Sequence, residues 1–262
     1  MLPKKITDKW RSDYDRQLAI SERKILKKVR SFYKQQYNKG VQIFVDSGNI
    51  DYLSIFNFDD IRKLYLDIIP DVCMRFAVWY FRNSDQYQVK KSPREYTQSW
   101  KTAFSFYASQ VAATNVTLVS GTAKKTLMNV IQKLYRDPDF VTLGANEKAR
   151  ILRKRFNKFS QYQAMRVVRT ESLRAANFGI EQSALRVYAG RQLKKQWVTF
   201  FDNKTRDWHA EAHNQIVDFE KPFEVGGEQM QRPGEGSARN VINCRCSMVP
   251  FPADVESSLP FQ

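Results

Sequence analysis

Two stretches decide how this chain is read: Asn240–Phe251, "NVINCRCSMVPF", and Phe201–His213, "FDNKTRDWHAEAH". The first holds two of the three cysteines, Cys244 and Cys246, on either side of Arg245; the second holds the only two histidines, His209 and His213. "INCRCSMVPF" reads as a closing β-strand, in which alternate side chains share a face, so both thiols point one way and Arg245 the other. "TRDWHAEAHNQ" reads as a short helix, on which residues four apart share a face. Two sulfurs and two imidazoles meeting at one point suit a tetrahedral zinc ion, which would staple a unit whose own core is thin. The alternative is a pair of small buried thiols and two surface histidines. The order His-x-Glu-x-His differs from the His-Glu-x-x-His of metalloproteases, and on a helix Glu211 faces away from both histidines. His209, His213, Cys244 and Cys246 together fill a coordination sphere, which favours a structural zinc over a catalytic one.

Upstream of Gly190 the pattern is helical. Trp10, Tyr14, Leu18, Ile25, Val29 and Phe32 predict a helix from Thr7 to about Gln42, ended or interrupted at Gly40. "SGNIDYL" reads as a turn. A second helix fits Asp59–Asn83, kinked or split by Pro70. "NSDQYQVKKSPRE" is a loop, with Ser92 as N-cap and Pro93 as N1 of a third helix reaching about Ala113. A fourth helix opens near "SGTAKK" and runs to about Tyr135, where "RDPDFVTLGANE" breaks it. A short basic helix follows, then a longer one from about Ser160 to Tyr188. "KKQWVTFFD" alternates like a strand, and "FEKPFEVGGEQMQRPGEG" carries the paired glycines and prolines of a hairpin and loop. The expected fold class is α+β: an N-terminal helical region followed by a small antiparallel α+β unit.

The bulk numbers narrow the function. Of 262 residues, 42% are hydrophobic, enough for a packed core. No run approaches the ~20 apolar residues of a membrane span, the N-terminus lacks the apolar centre of a secretory signal, and folding in the cytoplasm is expected. Three cysteines make no disulfide framework. The net charge of +16 points to a polyanion, nucleic acid first and an anionic membrane second; the bland reading is a solvated basic surface. The charge concentrates in residues 147–169, where Lys148, Arg150, Arg153, Lys154, Arg155 and Lys158 are interleaved with Phe156, Phe159 and Tyr162. Sequence-independent contact with phosphates is one reading, and a helix with core-facing aromatics and solvated charges the other.

From about Ser120 to Phe251 the chain resembles the Mu F-like head morphogenesis family, minor head proteins of tailed bacteriophages. The likeness is carried by Arg169, Thr170 and Glu171 in "MRVVRTESLRAANFG". It continues through Trp197, Asp202, Thr205, Arg206, His209, Pro222 and Phe223, the Pro233–Gly234 turn, and Asn243–Cys246. His213 departs from the pattern, so Asp202 or water is an alternative fourth ligand. The resemblance divides the chain into 1–119, a basic helical region for particle contacts, and 120–262, the family domain, with helices to about 190 and the α+β unit over 191–251. It implies a non-enzymatic virion component made in the host cytoplasm. Such a component sits in the capsid interior near the portal in several copies, binds portal or major capsid protein, and touches double-stranded DNA without reading sequence. No membrane partner and no appended enzyme are expected.

Arg169 and Glu171 read either as an active-site pair or, with Asp202 and Arg206 as partners, as a lock of the helix onto the α+β unit; the lock is preferred because a guanidinium clamps carboxylates and carbonyls with a rigid fork and no nucleophile or general base completes a mechanism. The competing function is a zinc-dependent nuclease or other enzyme acting on viral DNA, motivated by the basic surface and the His/Cys cluster. A cellular DNA-binding protein is permitted by charge but disfavoured by the C-terminal signature.

Overall fold

The computed structural model describes residues 4–49, 51, 54–84 and 92–254. The elements in order are α1 (Lys4–Ser47), α2 (Phe58–Asn83), α3 (Pro93–Leu134), α4 (Pro138–Thr142), α5 (Ala145–Val187), β1 (Leu193–Val198), α6 (Asp207–Glu211), β2 (Ile216–Asp218), β3 (Phe223–Val225), β4 (Glu228–Met230), α7 (Ala238–Val241) and β5 (Ser247–Pro252). The chain is therefore mostly helical with a small C-terminal antiparallel sheet, the expected class.

The helices are fewer and longer than the sequence suggests. The third and fourth expected helices are one, α3. Its buried stripe of Ala108, Ala112, Asn115, Ala123, Leu127 and Ile131 carries through Gly121. A glycine inside a helix costs only about 1 kcal/mol, less than burying that stripe returns. The two basic helices are likewise one, α5, with Leu152, Phe156, Ser160, Ala164 and Val168 buried at every fourth position. Ser160 does not cap a helix; its hydroxyl donates to the Asn157 carbonyl within the turn. Gly40 neither ends nor interrupts α1, and a side chain there would crowd its neighbours. A Cβ there would lie 3.2 Å from both Ile55 Cδ1 and Leu127 Cδ2. α2 remains one element across Pro70. Ser92 stands where an N-cap was expected: its N–H donates to Glu95 Oε1 at 2.7 Å, one half of a capping box. The loop expected before it falls largely outside the described residues, as do three residues of "SGNIDYL".

By contact the chain forms two compact units, and the break between them is not the family boundary near residue 120. One comprises Met1–Arg23, Ile69–Phe106 and Arg169–Gln262; the other comprises Lys24–Ile68 and Tyr107–Val168. α1, α2, α3 and α5 each contribute a segment to both. In the second unit Tyr37 stacks on Phe156 with centroids 4.9 Å apart and bonds the Gln163 side chain, whose amide donates to Thr126 Oγ1.

The first unit carries the sheet, in the order β2-β1-β5, wholly antiparallel, and the β3–β4 hairpin. Gly226 and Gly227, with φ of 59° and 78°, form its two-residue turn, a conformation that residues with a Cβ rarely adopt. Pro250 and Pro252 are tolerated because β5 is an edge strand. The sheet is tied to helices by buried hydrogen bonds. Trp10 Nε1 donates to Ser247 Oγ at 2.8 Å and the Tyr80 hydroxyl to the Pro250 carbonyl at 2.8 Å. Asn177, fully buried on α5, accepts from the Met248 N–H and donates toward the Cys246 carbonyl, the Leu173 carbonyl and the Tyr14 hydroxyl. At Gly179 the backbone of α5 meets α2 so closely that a Cβ would lie 2.3 Å from the Cys73 carbonyl oxygen.

Two substitutions test this joint. Asn177→Leu orphans buried backbone groups and is expected to cost about 2–3 kcal/mol. Gly179→Ala forces the two backbones apart and is expected to cost at least as much. Denaturant midpoints at unchanged slope are the measurement, and midpoints equal to wild type would refute the joint.

Candidate metal centre

His209 reaches the site from a chain path fixed by short-range bonds. After β1, the Asp202 carboxylate accepts from the Lys204 N–H at 2.8 Å, and the Thr205 hydroxyl donates to the Phe200 carbonyl at 2.8 Å. This turn delivers the five residues of α6, with His209 only 2% exposed. The cysteines arrive from the other direction. Asn243 takes a left-handed φ of 57°, which asparagine tolerates better than most residues, and the turn after α7 sends Cys244 and Cys246 inward before β5 begins. The thiols thus lie just ahead of the strand rather than in it. Arg245, between the two thiols, bonds Asp15 Oδ1 at 2.7 Å.

The three side chains converge inside the core. His209 Nδ1 is 3.6 Å from Cys244 Sγ and 3.4 Å from Cys246 Sγ, and all three donor atoms lie within 4.8 Å of one another. Both cysteines are buried among Leu173, Trp197, Phe223, Met230 and Met248. A tetrahedral zinc ion, with Zn–S of about 2.3 Å and Zn–N of about 2.05 Å, separates its sulfur and nitrogen ligands by about 3.6 Å. The side chains are therefore spaced to accept a metal such as zinc. Their surroundings agree. His209 Nε2, the nitrogen turned away from the sulfurs, is 3.4 Å from Asn240 Oδ1, which also accepts from Trp208 Nε1 at 2.6 Å. An oxygen there fixes the tautomer that leaves Nδ1 free to ligate. Thr199 Oγ1 donates to the His209 carbonyl at 2.6 Å and holds the turn. The thiols are inequivalent. The Cys246 hydrogen bond and then His209 draw the Cys244 pKa down, whereas burial followed by the Cys244 charge pushes that of Cys246 up.

His213 does not join the group. α6 ends at Glu211, so the two histidines never share a helical face. His213 Nδ1 instead accepts from the Thr199 N–H at 3.2 Å, its ring lies edge-on to Phe201, and burial lowers its pKa. Three donors remain rather than four, which removes the argument that the coordination sphere is filled by the chain. A cavity of about 430 Å³ reaches the three donors and is lined also by Arg169, Asp202, Lys204, Arg206, Asn243 and Arg245.

The bonds described for the residues of the expected lock run to other partners. Glu171 bonds Arg174 on its own helix, at 3.0 Å and 3.2 Å. Arg206 Nη2 donates to the Ile242 carbonyl at 2.7 Å, and Asp202 holds its own turn. Arg169 faces the cavity, with its Nε buried and lacking a hydrogen-bond partner. The ties that are made run through Arg174 and Arg232, which the sequence did not single out, and through Thr170, which it did. Arg174 Nε donates to the Gly234 carbonyl at 2.9 Å, Arg232 bridges Glu181 and Glu235 at 2.5 Å each, and Thr170 Oγ1 accepts from the Asn243 N–H. Asn240 was within the quoted stretch, yet nothing in its sequence context marked it.

Of the basic residues on α5, Arg150 pairs with Glu147, Arg153 donates to Gln42 Oε1 at 2.7 Å, and Lys148 lies over the Tyr135 ring. Lys154, Arg155 and Lys158 are exposed. Phe156 is buried, whereas Phe159 and Tyr162 are 39% and 77% exposed.

The family model of phage Mu protein F-like proteins matches residues 117–249, just over half of the chain. No curated protein and no solved structure matches it. Among the described residues, no helix is long and apolar enough to cross a membrane.

The geometry distinguishes the two histidines by experiment. Under reducing conditions, Cys244→Ser, Cys246→Ser and His209→Ala are each expected to abolish retention of added zinc through gel filtration, whereas His213→Ala retains it. Asn240→Ala is expected to weaken binding about 10- to 100-fold. Loss of zinc in His213→Ala but not in His209→Ala would contradict the placement.

Proposed function

The chain belongs to the phage Mu protein F-like family, a family of phage head morphogenesis proteins, and from that membership we propose that it is a structural minor head protein of a tailed bacteriophage. In this reading it acts without catalysis inside the capsid, beside the portal or major capsid protein, in several copies. The observation that carries the reading is the family match over residues 117–249. A zinc ion held by His209, Cys244 and Cys246 gives the small C-terminal unit its rigidity, and the fit of the donor spacing to a tetrahedral ion supports it.

Contact with packaged DNA follows from the charge. Exposed Lys154, Arg155 and Lys158 beside exposed Phe159 and Tyr162 support a phosphate-binding face on α5, whereas buried Phe156 belongs to the core. Such a face displaces counterions and reads no bases.

A second reading, a zinc-dependent nuclease, is favoured by one observation: three protein donors with a cavity beside them leave a position open, the arrangement that metal enzymes use. Against it, the one carboxylate lining the cavity, Asp202, holds its own turn by accepting from the Lys204 N–H, and no second carboxylate lines the cavity to share acid and base work.

Three measurements separate these readings. The protein is expected to co-purify with procapsids and virions, and absence from both would refute the virion role. Glutamate substitutions at Lys154, Arg155 and Lys158 are expected to weaken duplex binding and lower the slope of log K against log salt by about 0.9 per lost contact, equally for all sequences. Chelator-sensitive DNA cleavage abolished by His209→Ala would replace the structural reading with the enzymatic one.

A further inference from the structure

The three-donor set raises a question that the fold alone does not answer: what occupies the fourth position of the metal. No further His, Cys, Asp or Glu joins the group among the described residues. The cavity that opens onto it is lined by four cationic side chains, Arg169, Lys204, Arg206 and Arg245, against one carboxylate, Asp202. Their engagements differ. Arg245 is matched by Asp15 at 2.7 Å and lies 3.7 Å from Glu22. Arg206 spends Nη2 on the Ile242 carbonyl. Lys204 is exposed at the rim. Arg169 has the Glu22 carboxylate as a charged neighbour but keeps a buried Nε without a hydrogen-bond partner, a cost that a bound acceptor would relieve.

A zinc ion with two thiolates and a neutral imidazole carries no net charge, so the site itself does not repel an anion. The surrounding guanidinium and ammonium groups then attract one, and guanidinium forks match the oxygens of phosphate. We propose that the cavity is an oxyanion site in which a phosphate group takes the metal's open position and is held by Arg169 and Lys204. The inference rests on the metal reading of His209, Cys244 and Cys246 and extends it to a ligand. Two sources share this chemistry, free inorganic phosphate and the terminal phosphate of a DNA strand.

The test uses the full chain loaded with Co(II), whose visible absorption reports coordination by sulfur and changes when a fourth ligand exchanges. Inorganic phosphate is expected to shift that spectrum saturably. Arg169→Gln is expected to raise the half-saturating concentration about tenfold or more while leaving the phosphate-free spectrum unchanged. Lys204→Ala, on an exposed turn, provides a second variant with a smaller shift in the same direction, should Arg169→Gln fail to fold. An oligonucleotide carrying a 5′-phosphate is compared with the same strand lacking it: a shift with the first alone, or at far lower concentration than with inorganic phosphate, assigns the site to a DNA end, and an equal response to inorganic phosphate assigns it to the free ion. Bound Co(II) with a spectrum unmoved by any phosphate, or an equal response in both variants and wild type, overturns the inference and leaves the metal reading intact. Failure to bind Co(II) at all overturns both.

Discussion

The convergence of one imidazole and two thiols on a single buried point is the constraint on which the C-terminal unit depends. β1 and β5 are six residues each, β2 to β4 three each, and α6 and α7 shorter than two turns. Ordering such a segment costs about 1–2 kcal/mol of backbone entropy per residue, and a net stability of 5–15 kcal/mol is typical for a whole domain. A metal bound by these three side chains, which come from opposite ends of the segment, would contribute about 10 kcal/mol, as structural zinc does in small domains, and would outweigh any other single contact. The remaining core residues, Leu173, Trp197, Phe223, Met230 and Met248, are arranged around the donors rather than apart from them.

A second layer joins this unit to helices. The carbonyl of Cys246 and the N–H of Met248 are both satisfied by Asn177, so the second thiol and the start of β5 are held by the same amide on α5. Arg174 and Arg232 do the same for the Pro233–Gly234 turn, the first through the Gly234 carbonyl and the second through Glu181 and Glu235. Arg232 also lies over the Phe178 ring at 4.9 Å. The three residues of the Arg-Thr-Glu segment act separately. Arg169 faces the cavity, Thr170 receives the Asn243 N–H and Glu171 steadies Arg174. The family motif thus surrounds the centre.

What was legible in the sequence was periodicity and chemical type. Alternation marked β1, the paired glycines marked the hairpin, and the Cys-x-Cys spacing with nearby histidines marked the donors, although the thiols sit before β5 and the same-side placement comes from the turn at Asn243. What was not legible was long-range. Gly121 and Ser160 look like helix breaks because local propensity says so, yet the every-fourth-residue burial through Leu152, Phe156, Ser160, Ala164 and Val168 overrides it. His213 matched helical spacing, but α6 stops at Glu211, two residues short. Asn177 and Asn240 carry satisfaction of buried groups, a property of the partners and not of the asparagines, so no local pattern announces it.

The central claim, that His209, Cys244 and Cys246 bind one zinc ion between them, is tested most directly by X-ray absorption at the zinc edge on the purified full chain. The account expects two sulfur scatterers at about 2.3 Å and nitrogen or oxygen scatterers at about 2.0–2.1 Å, one of them imidazole. A first shell without sulfur, or a chain that retains no zinc under reducing conditions, would contradict it.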